Sequence, residues 1–515
     1  MGVLMRTEPV QTAYQKAGQA HGCRLIHPWL RPFPSHWVWL CVIFPCIMHG
    51  LASAQTATFT TLVNFNGTNG ALPYGALLQA RDGNFYGTTY GTAMPGGTNS
   101  DGTVFRMTPG GNLTTLASFA GTNGAGPTAG LALGPDGNLY GTTSAGGTNG
   151  AGTVFQIATN GHLRVIHSFR ATTGNTNADG ASPQTGLTVG SDGLLYGTAY
   201  SGGSGGNGTI FKITTNGTLT VLHSFNPGAY NAIYAYTNAD GANPYATLAP
   251  DDSGGFYGTT LTGGTNGYGT VFHIATNGTF ALLSVFNYAN GSNPQSGLAL
   301  GTDGNLYGAA SGGCTNGSGT VFQMTTNRTI HTFHCFSATV SNDNGTEATN
   351  WDGAEPQSGL IAGPGGVFYG ATTKGGINGN GTVFQVTTNG VLTPLYSFTA
   401  EVFNGSDAYT NADGLTVQGA LTLGSDGNLY GVANTGGNTG NGTVFQLALA
   451  PVISLPGQLS IRLITGNVVL QWTNASSSLQ TAGAIAGTYT NVPGAINPYT
   501  NPIVNVRQFF RLMEN

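Results

Sequence analysis

The sequence predicts an all-β protein built from seven copies of one four-stranded unit, and three observations carry that prediction. Glycine supplies 85 of the 515 residues, while charged residues make up only 6%. Average domains hold roughly 7% Gly and about 25% charged residues. Three separate landmarks each occur seven times. Gly-Thr-Val/Ile-Phe falls at 102–105, 152–155, 208–211, 269–272, 319–322, 381–384 and 442–445. Tyr-Gly follows Phe or Leu at Tyr86, Tyr140, Tyr196, Tyr257, Tyr307, Tyr369 and Tyr430. An apolar segment ends in Phe65, Phe119, Phe169, Phe225, Phe286, Phe336 and Phe398. The third observation is that no unit has an apolar period of 3.6 residues.

These features exclude several classes. Helical bundles and coiled coils cannot absorb this much glycine. Collagen needs glycine at every third residue, and charge-driven disorder does not fit 39% hydrophobic residues with 10% aromatics.

The second unit shows how each strand arises. Residues 130–133 form a short apolar first strand, turned by Pro135-Asp136-Gly137-Asn138. Leu139–Thr143 follow as a Tyr- and Thr-rich second strand. A wider loop, Gly146-Gly147-Thr148-Asn149-Gly150, leads to a third strand over 153–158. Asn160-Gly161 fits a type I′ hairpin turn, which needs positive φ at both central positions. Alternating apolar residues over 162–169 make the fourth strand.

Four strands repeated seven times point to a seven-bladed β-propeller. A β-solenoid and a string of small domains are the alternatives. Solenoid turns are usually shorter, and lone Gly-rich sheets bury too little surface. The order of landmarks separates them further. Residues 56–65 form a fourth-type strand without predecessors, and the last repeat stops after its third strand at 443–447. The N-terminal strand therefore completes the last blade and closes the ring.

The repeats resemble the GloVer tandem repeat of exported bacterial "choice-of-anchor" proteins. Asp136-Gly137-Asn138-Leu139-Tyr140-Gly141-Thr142-Thr143, Gly146-Gly147 and Gly152-Thr153-Val154-Phe155 carry the resemblance, with counterparts from about residue 60 to 447. It implies export and a repeat architecture, and no activity. The C-terminus departs from the pattern, ending Phe509-Phe510-Arg511-Leu512-Met513-Glu514-Asn515 without a hydrophobic span or sorting motif.

Three domains are expected: a signal peptide over 1–54, the propeller over 55–450 and a small β module over 451–515. In the module, Val469-Leu470-Gln471-Trp472, Tyr489-Thr490-Asn491-Val492 and Phe509-Phe510-Arg511-Leu512 are similar to fibronectin type III-like tails. About 60 residues is near the lower limit for a free-standing domain. The leader has the apolar stretch 37–48, basic residues before it, and Ala52-Ser53-Ala54 as a cleavage site. It is long for a signal, so a start downstream of Met1 or an uncleaved anchor are its alternatives. No membrane span is expected in the mature chain, and the protein is read as exported, to the cell surface, the surroundings or the periplasm.

The leader carries Arg6, Lys16, Arg24 and Arg31 against Glu8, a net of +3, so the rest of this −5 chain carries −8. Without a basic patch, nucleic acid is not an expected partner. Only Cys314 and Cys335 remain after the leader, and an even pair suits an exported chain. Antiparallel pairing brings the start of the third strand beside the end of the fourth, so a disulfide between them is expected.

Turn chemistry and packing account for most of the candidate sites. Gly202-Gly203-Ser204-Gly205-Gly206 fits the nucleophile-elbow spacing but occupies a repeat loop with no helix after it. The histidines have no zinc spacing, and His167 and His223 share one repeat position, where packing between blades is expected. Asp-Gly at Asp82, Asp136, Asp192, Asp303 and Asp426 is turn chemistry. No metal or cofactor is expected.

A second Asx-Gly series lies between fourth and first strands. Four repeats have Asp there, namely Asp179, Asp240, Asp352 and Asp413, and these carry the longer insertions. Aromatics including Tyr230, Tyr234, Tyr236, Trp351 and Tyr409 sit within them. Asp179, Asp240, Asp352, Asp413, Tyr234 and Trp351 are the candidate ligand-binding residues, since aromatic faces beside carboxylates suit sugar rings. Long loops merely covering the rim are the alternative. The expected function is a binding scaffold for extracellular polysaccharide or a cell-surface protein. The competing readings are a polysaccharide hydrolase or lyase using Glu347, Glu355 or Glu401, and a purely structural envelope protein.

Overall fold

The computed structural model describes residues 57–91, 101–231, 235–341, 348–403 and 409–449, with six backbone strands between 459 and 514. The expected leader, 1–54, lies outside the described residues. Seven antiparallel sheets follow one another, each built from a first to a fourth strand, and one of them adds Ala242–Pro244 as a fifth strand on its second. The second sheet is typical: Ala132–Leu133, Leu139–Thr143, Thr153–Ile157 and Leu163–Ser168. The last sheet joins Thr422–Leu423, Leu429–Ala433 and Thr443–Leu449 to the N-terminal strand Ala57–Asn64. Ala57 pairs with Leu449 and Asn64 with Thr443. The fold is a seven-bladed β-propeller closed by its N-terminal strand.

Repeat landmarks become contacts between blades. The Phe that ends each fourth strand meets the Phe of the next blade's Gly-Thr-Val/Ile-Phe edge to face. Phe119–Phe155 are 5.1 Å apart, Phe286–Phe322 5.0 Å and Phe336–Phe384 5.5 Å. Phe65 in the closing strand meets Phe105 of the first blade in the same way, at 5.5 Å. Such pairs add about 0.5–1.5 kcal/mol each beyond the apolar area they bury. The Gly that opens that motif is needed for a related reason. Gly208 has φ 103°, and a Cβ there would lie 2.6 Å from Pro244 Cδ of the next blade and 2.4 Å from Ala199 O.

At the turns between first and second strands, Asp accepts from the buried tyrosine four residues on. Tyr86 Oη donates to Asp82 at 2.8 Å, Tyr140 to Asp136 at 2.7 Å and Tyr430 to Asp426 at 2.8 Å. Burial, then the aspartate bond, pushes each of these phenols up to about 12. Burial alone would raise the Asp82 carboxyl, but hydrogen bonds from Asn84 and Tyr86 outweigh it and hold it low. A phenol raised on folding stabilises the fold fully below its unfolded value near 10, and loses that contribution as pH rises through about 12. These tyrosines are thus expected to ionise together with unfolding, seen as coincident phenolate absorbance and loss of circular dichroism. Phenolate appearing well before unfolding would contradict the burial.

Beyond the ring, Leu459–Ile464, Asn467–Trp472 and Tyr499–Pro502 form one antiparallel sheet. Thr490–Asn491, Ser477–Ala482 and Phe509–Glu514 form a second. This is the small C-terminal β module.

Candidate functional site

The connections between fourth and first strands share one face with the loops between second and third strands. Asn177 shows the link: its Oδ1 accepts from Gly180 N at 2.9 Å and from Gly203 N, in the neighbouring loop, at 2.8 Å. Four insertions follow the pattern Asn-x-Asp-Gly, at Asn177, Asn238, Asn350 and Asn411. Three of them also form hairpins: Ala229–Tyr230 with Tyr236–Thr237, Val340–Ser341 with Ala348–Thr349, and Val402–Phe403 with Tyr409–Thr410.

The four aspartates are buried within their own blades. Asp352 is fully buried; its carboxylate lies 2.9 Å from His334 Nε2 and accepts from Ser337 N at 3.1 Å. Asp240 takes His223 Nε2 at 2.9 Å and Asn226 N at 3.1 Å. Asp179 takes His167 Nε2 and Arg170 N, at 3.1 and 3.2 Å. Asp413 accepts from Tyr396 Oη at 2.6 Å and Thr399 N at 2.8 Å. A carboxylate can only accept, so each facing imidazole nitrogen carries the proton.

The three Asn units explain the rule. Asn69, Asn123 and Asn290 accept the same backbone N–H, from Asn66, Ala120 and Asn287, at 2.8, 2.7 and 2.9 Å. Where His or Tyr would stand they have Val63, Ala117 and Ser284. Asp thus appears only where the fourth strand supplies a His or Tyr to reach it. His167 and His223 pack as strand residues, with the bond to Asp added. The coincidence of His or Tyr two residues before the Phe with Asp in the turn was the available signal.

Trp351 stands differently. It occupies the x of Asn-x-Asp-Gly, where the other three units have Ala178, Ala239 and Ala412. It is 53% exposed, edge-on to His334 at 6.3 Å. Tyr230, on its hairpin, is 72% exposed. Tyr234 and Glu347 lie outside the described residues. Glu355 pairs with Lys374 at 2.8 Å, and Ser204 Oγ lies 3.1 Å from Ser224 Oγ, with no helix after it. Cys314 and Cys335 are bridged, with Cα atoms 6.0 Å apart, tying a face loop to the end of a fourth strand. Among the described residues no group of three His, Cys, Asp or Glu side chains gathers as a metal site.

The same face opens on the axial channel, a feature the sequence reading passed over. Six units carry Pro followed four residues later by Leu, as in Pro73-Tyr74-Gly75-Ala76-Leu77, and Val417 takes the Pro place in the seventh. The residue after Pro or Val lines a cavity of about 390 Å³: Tyr74, Thr128, Gln184, Tyr245, Gln295, Gln357 and Gln418. Burial raises the phenols of Tyr74 and Tyr245. The residue before the Pro or Val stands in the left-handed region, at 52° for Leu72, 58° for Asn243 and 61° for Thr416. That conformation costs roughly 1–2 kcal/mol for a residue with a Cβ. Bonds to the preceding blade hold it, such as Leu72 N to Asn441 O at 2.9 Å and Glu355 N to Ser318 O at 2.8 Å.

The Gloeobacter/Verrucomicrobia repeat matches residues 51–232 and 226–349, together more than half of the chain. The chain belongs to this repeat family. No curated protein matches the sequence of this Gloeobacter/Verrucomicrobia repeat protein. Among solved structures it is similar to the periplasmic gluconolactonase of Pseudomonas aeruginosa, at 14% identity and a TM-score of 0.44, covering 83% of this chain and 98% of that one. An ulvan lyase, a polysaccharide lyase, matches at 11% identity and TM-score 0.42, over 75% of this chain and 96% of that one. The extracellular domain of a hybrid two-component system from B. thetaiotaomicron matches at 11% and 0.43, over 89% of this chain. The repeat protein spans only 55% of that chain's length. Among the described residues, no helix is long and apolar enough to cross a membrane.

Proposed function

We propose that this repeat protein is an exported binding scaffold whose working face carries the inserted hairpins, and that its ligand is an extracellular polysaccharide or a surface partner. The observation that carries the reading is Trp351, displayed at 53% exposure where the other units of its kind have alanine. A large aromatic that breaks a repeat and leaves half its surface exposed beside His334 suits the apolar face of a sugar ring or a partner side chain. Tyr230 adds a second exposed ring on another hairpin of that face. In this reading Asp179, Asp240, Asp352 and Asp413 hold the bases of the insertions, and the hairpins meet the ligand.

The test is binding of the protein to a panel of insoluble polysaccharides, with the supernatants analysed for released sugar. Saturable binding without soluble product is expected, and Trp351→Ala should weaken it about tenfold or more at unchanged melting temperature. Soluble product would favour the lyase or hydrolase reading. Neither binding nor product would leave the structural role.

A further inference from the structure

We infer that the mouth of the axial channel is a separate seat for an uncharged, polyhydroxylated ligand, the end of a neutral glycan chain. The inference rests on the carbohydrate branch of the scaffold reading and adds both a place and a charge class to it. The cavity of about 390 Å³ falls within the range of small-molecule sites. No Asp, Glu, Lys, Arg or His lines it, on a chain where the sevenfold repeat could have set one charge per blade. An ionised ligand there would lose its water without a counter-charge, which is costly. Uronates, sulfated sugars and amino sugars are excluded on that ground.

Neutral hydroxyls, by contrast, find partners. Each glutamine offers two donors and an acceptor, and each tyrosine offers a hydroxyl and an apolar ring. The hydrogen bonds within the ring leave that capacity open. Gln418 Nε2 donates to Gln357 Oε1 at 3.1 Å, while Gln418 Oε1 is buried with no partner. An unpaired buried carbonyl is rare in a folded protein and marks a place where a donor is missing. A Cβ on Gly75 would lie 2.3 Å from the backbone of Ala129 and Gly130, so these two neighbouring inner segments meet backbone to backbone in the cavity wall. The left-handed residues before the ring, pinned to the preceding blade, hold the side chains in place without ligand, and such strained positions concentrate at binding sites.

The experiment is calorimetric titration of the full chain with cellohexaose, mannohexaose and laminarihexaose, beside hexagalacturonate and chitosan hexamer. At least one neutral hexamer should bind saturably, with an affinity unchanged within about twofold between low and high salt, because no ion pair is made. Gln418→Ala and Tyr245→Ala should each weaken it about tenfold or more, and Gln418→Glu should abolish it. Circular dichroism melting of each variant checks the fold. Val391→Ala, at an exposed position outside the channel lining, should leave hexamer binding unchanged. Absence of any neutral binding, salt-sensitive binding of hexagalacturonate, or binding indifferent to the channel variants would overturn the inference. In the last case, loss on Trp351→Ala would leave the scaffold reading standing.

Discussion

Removing residues 57–65 is expected to leave a chain that does not fold cooperatively and collects in aggregates. The segment supplies the whole outer strand of the last blade. Phe65 is fully buried and Val63 nearly so, while Phe59 stacks on Tyr396 at 4.2 Å and on Phe445 at 5.1 Å. Burying each such side chain contributes roughly 1.5–3 kcal/mol, so the three together rival the 5–15 kcal/mol by which a typical domain is stable. The loss also bares Thr443–Leu449, a long apolar strand, as an unpaired edge. Such edges pair with other chains. Size-exclusion chromatography and thermal melting decide the matter, and a monomeric product with an unchanged melting curve would show that closure contributes little. Phe65→Ala is the graded version, with an expected cost of about 3–5 kcal/mol.

The second large effect is expected at Asp352. Asp352→Ala should cost about 2–4 kcal/mol, because it strands the His334 donor and the Ser337 N–H in a buried turn. Asp352→Asn should cost only about 1 kcal/mol, since Asn69, Asn123 and Asn290 already satisfy that backbone N–H in the other units. In the Asp352→Asn background, His334→Ala should then add less than it does alone, the coupling a double-mutant cycle reads. Denaturant unfolding measures all four proteins. Unchanged stability in Asp352→Ala, together with lost binding, would make the carboxylate a ligand contact instead of a strut.

Blade number, closure and most strand positions were legible because each landmark has a local cause. The hairpin at Asn160-Gly161 falls where expected, but only Gly161 has positive φ, at 94°, so its turn is not type I′ and takes in Thr159 as well. The repeated Phe pairs record one blade meeting the next. The first strand is shorter than its apolar run, 132–133 against 130–133, because chains converge near the axis and only two residues keep the ladder. The hairpins in the insertions left no mark, being short runs with little apolar alternation. The aspartates were found but not their orientation. His334 and Asp352 are 18 residues apart, and only the folded turn shows that the carboxylate points inward. The channel ring was silent for a different reason. Tyr, Gln and Thr after a proline resemble loop composition, and only the ring symmetry brings them to one mouth.

Closure through the first strand also sets how the ring answers a pull. Ala57 lies opposite Leu449, so the chain enters and leaves the propeller at the same end of one antiparallel pair. Tension between a tethered end and a load on the C-terminal module would therefore open that pair from its free end, one backbone bond after another, instead of shearing all of them together. The other six blades feel no load until Asn64 has parted from Thr443. The seam that completes the ring is thus also the place where it gives way first under tension.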